Sequence, residues 1–342
     1  MSRTFCFCVL AAAMLLVGST NYAAAKDGKE DTLLRPYADY EGTLSFSLEN
    51  DIFSGEDDNY TNGVRISYLS AENNIPNWLE ETANTLPFFS ERGHKRWHVA
   101  LGQSMFTPSD ITQRQLQPND RPYAGWLYSS VGVISDTGYR LDNLQLEVGV
   151  LGPASGADIT QDFVHDLIDS NDPQGWDNQL DNEPGIILTY ERKWRGLYEF
   201  SPFGMGVDIT PSVGGSVGNI YTHAAVGTVV RVGYDLPSDY GPPLIRPNLP
   251  GSDFFIPNRE FGWYLFAGLE GRAVARNIFL DGNTFSSSHS VDKRPFVGGV
   301  QAGIAFIIYD TRISYTHLIR TQEFQGQREK DEFGSLAVSF RF

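Results

Sequence analysis

The last residues of the chain alternate strictly between two kinds of side chain. The apolar members are Leu336, Val338, Phe340 and Phe342, and the small or polar members are Ser335, Ala337, Ser339 and Arg341. A period of two places each set on its own face of a β-strand. A strand that is apolar on one face and ends on an aromatic residue is typical of membrane β-barrels. The alternative is the last strand of a periplasmic sandwich, and we favour the barrel because the alternation recurs along the chain.

Alternation and turn signals predict an all-β chain of about twelve strands. Their predicted ranges are 40–53, 61–71, 95–106, 123–135, 139–151, 184–195, 203–214, 220–234, 260–273, 293–308, 311–321 and 333–342. An even strand count with both termini on the periplasmic side is what a single-chain barrel requires. We therefore predict one transmembrane antiparallel β-barrel domain. Two periplasmic links, 72–94 and 235–259, are unexpectedly long, and the second could be a plug or a lid.

The first 25 residues predict a secretory signal peptide. A basic start at Arg3 precedes an apolar run over 5–17, and the small residues 23–25 form a cleavage signal before Lys26. The barrel domain then covers 26–342. Both cysteines, Cys6 and Cys8, lie in the signal, so we expect no disulfide. No later stretch approaches the ~20 apolar residues of a membrane helix, which argues against a helical membrane protein.

Composition fits a membrane barrel. The chain has 34 Gly, 22 Phe and 16 Tyr with a mean hydropathy of −0.27, because only every second strand residue meets lipid. The net charge of −16 argues against a nucleic-acid partner. We expect a monomer in the bacterial outer membrane.

The first hairpin carries an oxygen-rich tip. Residues 49–51 end one predicted strand, and the segment 57–63 of sequence DDNYTNG opens the next. Asp, Asn and Thr oxygens suit calcium, which takes six to eight oxygen ligands in loose geometry. The alternative is an ordinary polar loop in which Asn and Gly serve only the turn. We predict a Ca²⁺ site here.

The third outer loop, residues 152–183, predicts a short amphipathic helix. Asp158 and Gln161 resemble a capping box, and Phe163, Val164, Leu167 and Ile168 form one apolar stripe at helical spacing. We expect that stripe to pack on the barrel mouth. His165 borders it, with Asp162 three residues before and Asp169 four after, either of which could orient the imidazole. A histidine is the usual general base near neutral pH, although most lone histidines are ordinary surface residues.

These motifs, in this order and spacing, resemble the outer-membrane lipid A 3'-O-deacylases over nearly the whole mature chain. The matching segments are Asn50-Asp51, Tyr60-Thr61-x-Gly63, Gly102-Gln103, Pro108, Arg114, Asp120-Arg121-Pro122-Tyr123-Ala124-Gly125-Trp126, Gly152-Pro153, Gln161-x-x-x-His165 and Gly175-Trp176-x-x-Gln179-x-x-Glu183. The resemblance implies a calcium-dependent twelve-stranded enzyme that removes the 3'-acyloxyacyl group of lipid A. Its one departure is Asn171, which stands where family members can carry a Glu.

The resemblance also implies site residues. His165, Asn50 and Thr61 would be catalytic, Asp51 and Asn50 would bind Ca²⁺, and Arg114 would contact the substrate. Gln113 and Arg121 come from the same outer loop as Arg114, so we add them as substrate-binding candidates. The two arginines could pair with lipid A phosphates.

The expected chemistry is hydrolysis of an ester. Ca²⁺ would polarise the carbonyl while His165 deprotonates the attacking water. Asn50 shares the strand parity of the lipid-facing Phe46 and Leu48, so we expect the site near the lipid side of the outer rim.

Two rival functions remain open on the sequence. An outer-membrane phospholipase needs a nucleophilic Ser beside a His and an Asn, and the spacing of Ser170 and Asn171 near His165 is unconvincing. A non-enzymatic narrow pore or structural barrel would explain the fold, and ion conductance without ester hydrolysis would favour it.

Overall fold

The structure is a computed structural model. It describes residues 39–51, 59–72, 74–87, 89–90, 93–168, 172–196, 199–200, 205–242 and 253–342. The predicted signal peptide lies outside these ranges.

The described residues form thirteen strands. They are β1 (Thr43–Asn50), β2 (Asn59–Leu69), β3 (His94–Thr107), β4 (Ala124–Asp136), β5 (Arg140–Leu151), β6 (Glu183–Trp194), β7 (Glu199–Phe200), β8 (Gly206–Gly218), β9 (Tyr221–Tyr234), β10 (Phe261–Asn277), β11 (Phe296–Ile308), β12 (Thr311–Arg320) and β13 (Asp331–Arg341). Each predicted strand overlaps one of them. The two-residue β7 is an addition that pairs with β8.

Twelve of these strands close into an antiparallel barrel, which confirms the predicted fold class. Neighbours in sequence pair with each other, β1 pairs with β13, and β6 pairs with β8. Beside the β1–β13 pair, the amide of Gly42 donates to the carbonyl of Phe342 at 3.0 Å, and the amide of Phe342 donates to the carbonyl of Gly42 at 3.1 Å. We call this end of the barrel the terminus end, and the opposite end the loop end.

The two faces of the wall differ as a membrane barrel requires. On β1, Leu44 and Phe46 point outward and are exposed, while Ser45 and Ser47 point inward and are buried. The hydroxyl of Ser45 donates to that of Ser339 on β13 across the inner face, at 2.8 Å. Lipid would cover the apolar outer face. The buried polar groups of the inner face must form hydrogen bonds with each other.

Within the described residues, three α-helices accompany the strands. α1 (Asn77–Thr85) lies in the link between β2 and β3, where the sequence predicted no element. α2 (Ala157–Ile168) lies between β5 and β6 and is the predicted loop helix. α3 (Ile278–Asp281) follows β10. Over the described ranges, none of these helices has the length and apolarity needed to cross a membrane.

The link between β9 and β10 enters the lumen from the terminus end. The Asp239 carboxylate accepts hydrogen bonds from the inward-facing Arg231 and Arg312, the latter at 2.7 Å. Phe254 packs under Arg96, and Phe255 packs under Arg312. The described parts of this link therefore form a plug, one of the two roles considered from the sequence.

The loop end of the lumen is filled by an apolar core. Phe106 stacks on Phe279 of α3 with ring centroids 4.0 Å apart. Around this pair pack Trp126, Tyr221 and Phe333 from other strands. Together with the plug, this core fills both ends of the lumen with side chains.

Candidate active site

The segment before α2 is shaped to lie against the outside of the wall. Gly152 has φ 91° and Gly156 has φ 64°, a region that favours glycine. Between them, Pro153–Ser155 forms a 3₁₀ turn that begins with the conformationally fixed proline. On β4, a Cβ atom at Gly125 would stand 2.1 Å from Ser155 Oγ and 2.3 Å from the Ala157 Cβ. Only glycine lets the start of α2 approach the strand this closely.

α2 packs with its small and polar face on the wall. Ala157, Gln161 and His165 recur every four residues and are all buried, and the helix contacts β3 and β4. The predicted orientation was wrong for Phe163, which is 67% exposed. The apolar stripe was expected to pack on the barrel mouth, whereas the face that contacts the wall is the one with Ala157, Gln161 and His165.

One row of outward-facing strand positions crosses β1 to β4 at the loop end, beneath α2. Asn50 on β1 lies opposite Asn62 on β2, Asn62 lies opposite Met105 on β3, and Met105 lies opposite Gly125 on β4. Asn50, Asn62 and Met105 have the parity of the lipid-facing residues, yet all are buried. Polar groups are thus enclosed on the outside of the wall.

Asn62 was not among the predicted site residues. Its side chain is only 3% exposed, and its Oδ1 accepts no hydrogen bond from the described part of the chain. The signal available in the sequence was its parity, because Asn62 lies on the same face as Val64 and Ile66 where an apolar residue is expected. A buried carbonyl oxygen without a hydrogen-bond donor lowers the stability of the fold. Its presence here therefore needs a functional explanation.

The row continues on the other side of Asn50. There Gly334 on β13 lies opposite both Asn50 and His317 on β12. His317 Nε2 is 3.8 Å from Glu332 Oε2, and both side chains are partly exposed. The sequence pointed to His165 alone, so this second rim histidine was missed.

The rest of the predicted metal site is only partly described. Asp51 directly follows β1 and is buried. Thr61 belongs to β2, but its side chain is outside the description, as are residues 52–58, Asp169 and Asn171. Over the described ranges, no three or more His, Cys, Asp or Glu side chains are grouped so that they could hold a metal ion. The calcium site stays a prediction.

A second loop segment fixes α2 in place. The indole Nε1 of Trp176 donates to Gln161 Oε1 at 2.8 Å, and the Trp176 ring contacts that of Tyr123 at 5.0 Å between centroids. Met105, Tyr123, Ala157 and Trp176 form one apolar cluster. The buried Nε2 of Gln161 donates no hydrogen bond within the described ranges.

The exposed side of α2 is acidic along one edge. Partial burial raises the pKa of Asp162, and the nearby carboxylates of Asp158, Asp172 and Asp166 raise it further. His165 acts in the opposite direction on this carboxyl group. The rim beside the histidine therefore carries concentrated negative charge.

Arg114 and Gln113 lie on the surface of the same rim. Arg114 Nη2 contacts Asp177 Oδ2 at 3.1 Å, with both side chains about three-quarters exposed. The Gln113 amide donates to Asp110 Oδ2 at 2.7 Å. Hydrogen bonds from Thr112 and Gln113 lower the pKa of Asp110. Both predicted substrate-binding residues can be reached from solution.

Arg121 does not share that placement. Its guanidinium is buried, donates to Glu323 Oε2 at 3.0 Å and lies between the rings of Phe106 and Phe324. Burial alone would raise the pKa of Glu323, but Arg320, Arg121 and Arg272 hold it well below its ordinary value. Because its charge is engaged inside the lumen, Arg121 does not fit the predicted contact with a substrate phosphate.

A family described as "Outer membrane protein LpxR" matches residues 6–342. The chain belongs to the LpxR family. This confirms the resemblance read from the motifs, and it places the chain among outer-membrane proteins. No curated protein matches the sequence.

Solved structures support the LpxR fold. LpxR from Salmonella typhimurium aligns with a TM-score of 0.72 at 19% identity, covering 88% of this chain and 100% of that one. The β-domain of the Bordetella autotransporter BrkA aligns with a TM-score of 0.40 at 10% identity, covering 88% and 97%. At such identities the likeness to the Salmonella protein shows a shared barrel architecture.

Proposed function

We propose that this LpxR-family protein is an outer-membrane lipid A deacylase that hydrolyses the 3'-acyloxyacyl ester with the help of Ca²⁺. The observation that carries the proposal is the polar site buried on the outside of the wall, beneath α2. A water-soluble substrate would not need a binding site on the outside of the barrel wall. A lipid whose acyl chains stay in the leaflet reaches this position without leaving the membrane.

The geometry supports His165 as the base for this site. α2 begins on β4 at Ala157 and also packs on β3, so it runs towards β2 and β1. From Ala157 to His165 the helix advances about 12 Å. From Gly125 to Asn62 the row crosses two strand spacings, about 10 Å. We infer that the imidazole comes to lie near the two asparagines.

The residues at the row suit a hard cation. Asp51 offers a buried carboxylate, Asn50 an amide oxygen, and Asn62 Oδ1 is a buried acceptor without a hydrogen-bond donor in the described ranges. Oxygen donors of these kinds are what calcium prefers. Bound there, Ca²⁺ would act as a Lewis acid that polarises the ester carbonyl and stabilises the oxyanion.

The protein's own residues then have distinct tasks. The imidazole of His165 accepts a proton from water as the water oxygen bonds to the acyl carbon. When the bond between the acyl carbon and the sugar oxygen breaks, the imidazolium gives that proton to the sugar oxygen, which leaves as a hydroxyl. The Asn50 side chain helps to orient the carbonyl. Gln161, bonded to Trp176, keeps the helix and its histidine at a fixed height above the wall.

The filled lumen argues against the pore alternative. The plug carries Asp239, Phe254 and Phe255 into the barrel, and the apolar core around Phe106 and Phe279 fills the loop end. A conducting pathway would have to displace both. We further propose that the loop end faces the cell exterior.

The test is mass spectrometry of lipid A from cells that express the protein, with and without a calcium chelator. We expect loss of an acyloxyacyl mass only with intact His165 and available calcium. His165→Ala should abolish that loss, whereas His94→Ala, at the terminus end of β3, should not. Lipid A that stays unchanged with a folded wild-type protein and added calcium would overturn the proposal.

A further inference from the structure

α2 exposes large apolar side chains on the side turned away from the barrel. Ile159 is 72% exposed and Phe163 is 67% exposed, and their spacing of four residues makes them neighbours on one face. The partly buried Val164 adjoins them. At 100° per residue this apolar face is separate from the face of Ala157, Gln161 and His165 that contacts the wall.

The acidic residues of α2 lie between this apolar pair and the wall-contacting face. At 100° per residue, Asp158 and Asp162 turn away from the apolar pair, whereas Asp166 lies seven residues after Ile159 and therefore borders it. Asp158, Asp162 and Asp166 recur every four residues, and the last two are exposed. A helix with one apolar and one charged face, both open, matches a helix that lies in a membrane interface. The wall-contacting face fixes its position, and the other two can then meet hydrocarbon and water respectively.

The apolar face continues a surface that already faces lipid. α2 lies over Met105 and Gly125, outside the barrel. Further down the outward face of β3, Leu101 is exposed, and Val131 is exposed on β4. Leu101 is four residues from Met105, about 13 Å along the strand. Between them, Gln103 Nε2 donates to the Ser155 carbonyl at 2.7 Å, so the turn before α2 covers the intervening wall.

We propose that Ile159 and Phe163 form a contact surface for the hydrocarbon chains of the outer-leaflet lipids. The helix would then lie partly in the outer leaflet beside the barrel, with its acidic edge at the level of the lipid headgroups. The proposal depends on the membrane setting of the barrel and not on its hydrolytic activity.

The test is spin-label accessibility on single-cysteine variants of residues 26–342, a range that contains no cysteine. Ile159→Cys and Phe163→Cys carry the label in vesicles of phosphatidylethanolamine and phosphatidylglycerol. Leu101→Cys is the lipid-facing control and Asp177→Cys the aqueous control, while Asp162→Cys is the matched control on the same helix. Slower migration after boiling, in gel electrophoresis, checks that every variant is folded.

We expect labels at 159 and 163 to collide with oxygen about as often as the label at 101. Their collisions with a water-soluble nickel chelate should be at least about threefold rarer than those at 162, because that label would lie at the headgroup level. Nickel accessibility at 159 and 163 equal to that at 177 would overturn the proposal. Since no hydrolysis is measured, this result is separate from the fate of the proposed activity.

Discussion

The lumen and the outer wall at the loop end both bury polar side chains. The lumen pairs its buried charges with each other, although it also holds hydroxyls without a hydrogen-bond partner in the described ranges, among them those of Ser47, Ser130 and Thr210. The outer wall buries uncharged amides. In the lumen, Arg312 and Asp239 are fully buried and meet at 2.7 Å, and Arg65 binds Asp253 through two hydrogen bonds. On the outer wall, Asn62 Oδ1 and Gln161 Nε2 are buried without a hydrogen-bond partner in the described ranges. Buried polarity with a partner holds a fold together, whereas buried polarity without one costs stability and needs another explanation.

The ion pairs of the lumen are structural polarity, whereas the outward-facing asparagines belong to the proposed site. The inner face of a membrane barrel is largely polar. In this barrel, ion pairs satisfy its buried charges. The outer face can be apolar everywhere, and Asn50 and Asn62 are therefore departures. The contrast is open to test by variants on each side.

The largest effect is expected from Asp239→Ala in the lumen. The substitution leaves Arg231 and Arg312 buried beside a lost carboxylate, which should cost about 3–5 kcal/mol of unfolding free energy. Denaturant unfolding of the barrel in vesicles measures it. The exposed Asp310→Ala is the control and should change little. An Asp239→Ala barrel as stable as wild type would mean that the lumen network is not structural.

Asn62→Leu should lower the activity without lowering the stability of the barrel. Lipid A hydrolysis should fall about 10–100-fold, as for loss of a residue that supports a metal or its ligands. The unfolding free energy should stay level or rise by about 1 kcal/mol, because a buried orphan carbonyl is removed. Asn143→Leu breaks a 3.0 Å bond to His98 in the lumen and should lower stability without lowering the rate per folded molecule. If both variants behaved alike, the contrast between the regions would fail.

Glu323→Gln tests the lumen through pH. Because the folded pKa of Glu323 is lowered, the charged carboxylate contributes stability above its ordinary value of 4.5, and this contribution is lost as pH falls through the folded value. The variant should be less stable than wild type near pH 7 by about 1–2 kcal/mol. The gap should narrow on acidification, which thermal scans at several pH values would show. A gap that is independent of pH would contradict this account.

The smallest effect is expected at the surface pair of Arg114 and Asp177. Both variants, Arg114→Ala and Asp177→Ala, should change stability by less than about 0.5 kcal/mol, because the pair is solvated. If Arg114 contacts the substrate, Arg114→Ala should raise KM. Asp177→Ala should not raise KM, because it only releases the arginine from its ion pair. Equal KM values for Arg114→Ala and wild type would remove Arg114 from the site.

Strand positions were predictable because alternation is a local signal. The range 220–234 was observed as Tyr221–Tyr234. The tenth strand runs to Asn277 although its predicted end was residue 273, because a register shift between Val274 and Arg276 interrupts the alternation. Parity also placed Asn50 on the outward face correctly.

Contacts between distant segments were not predictable in the same way. Arg121 lies in the same loop as Arg114, and only the folded lumen shows that it pairs with Glu323, two hundred residues away. The orientation of α2 was missed because helical spacing gives the faces but not which of them meets protein, water or lipid.

The position of the proposed site on the outside of the barrel wall has a kinetic consequence. If the lipid substrate arrives and its product departs along the leaflet, the reaction is two-dimensional, and its rate follows the number of substrate molecules per area of membrane. A neighbouring protein packed against β1 to β4 would then obstruct turnover without touching any catalytic atom. Crowding of the membrane surface would thus act as an inhibitor.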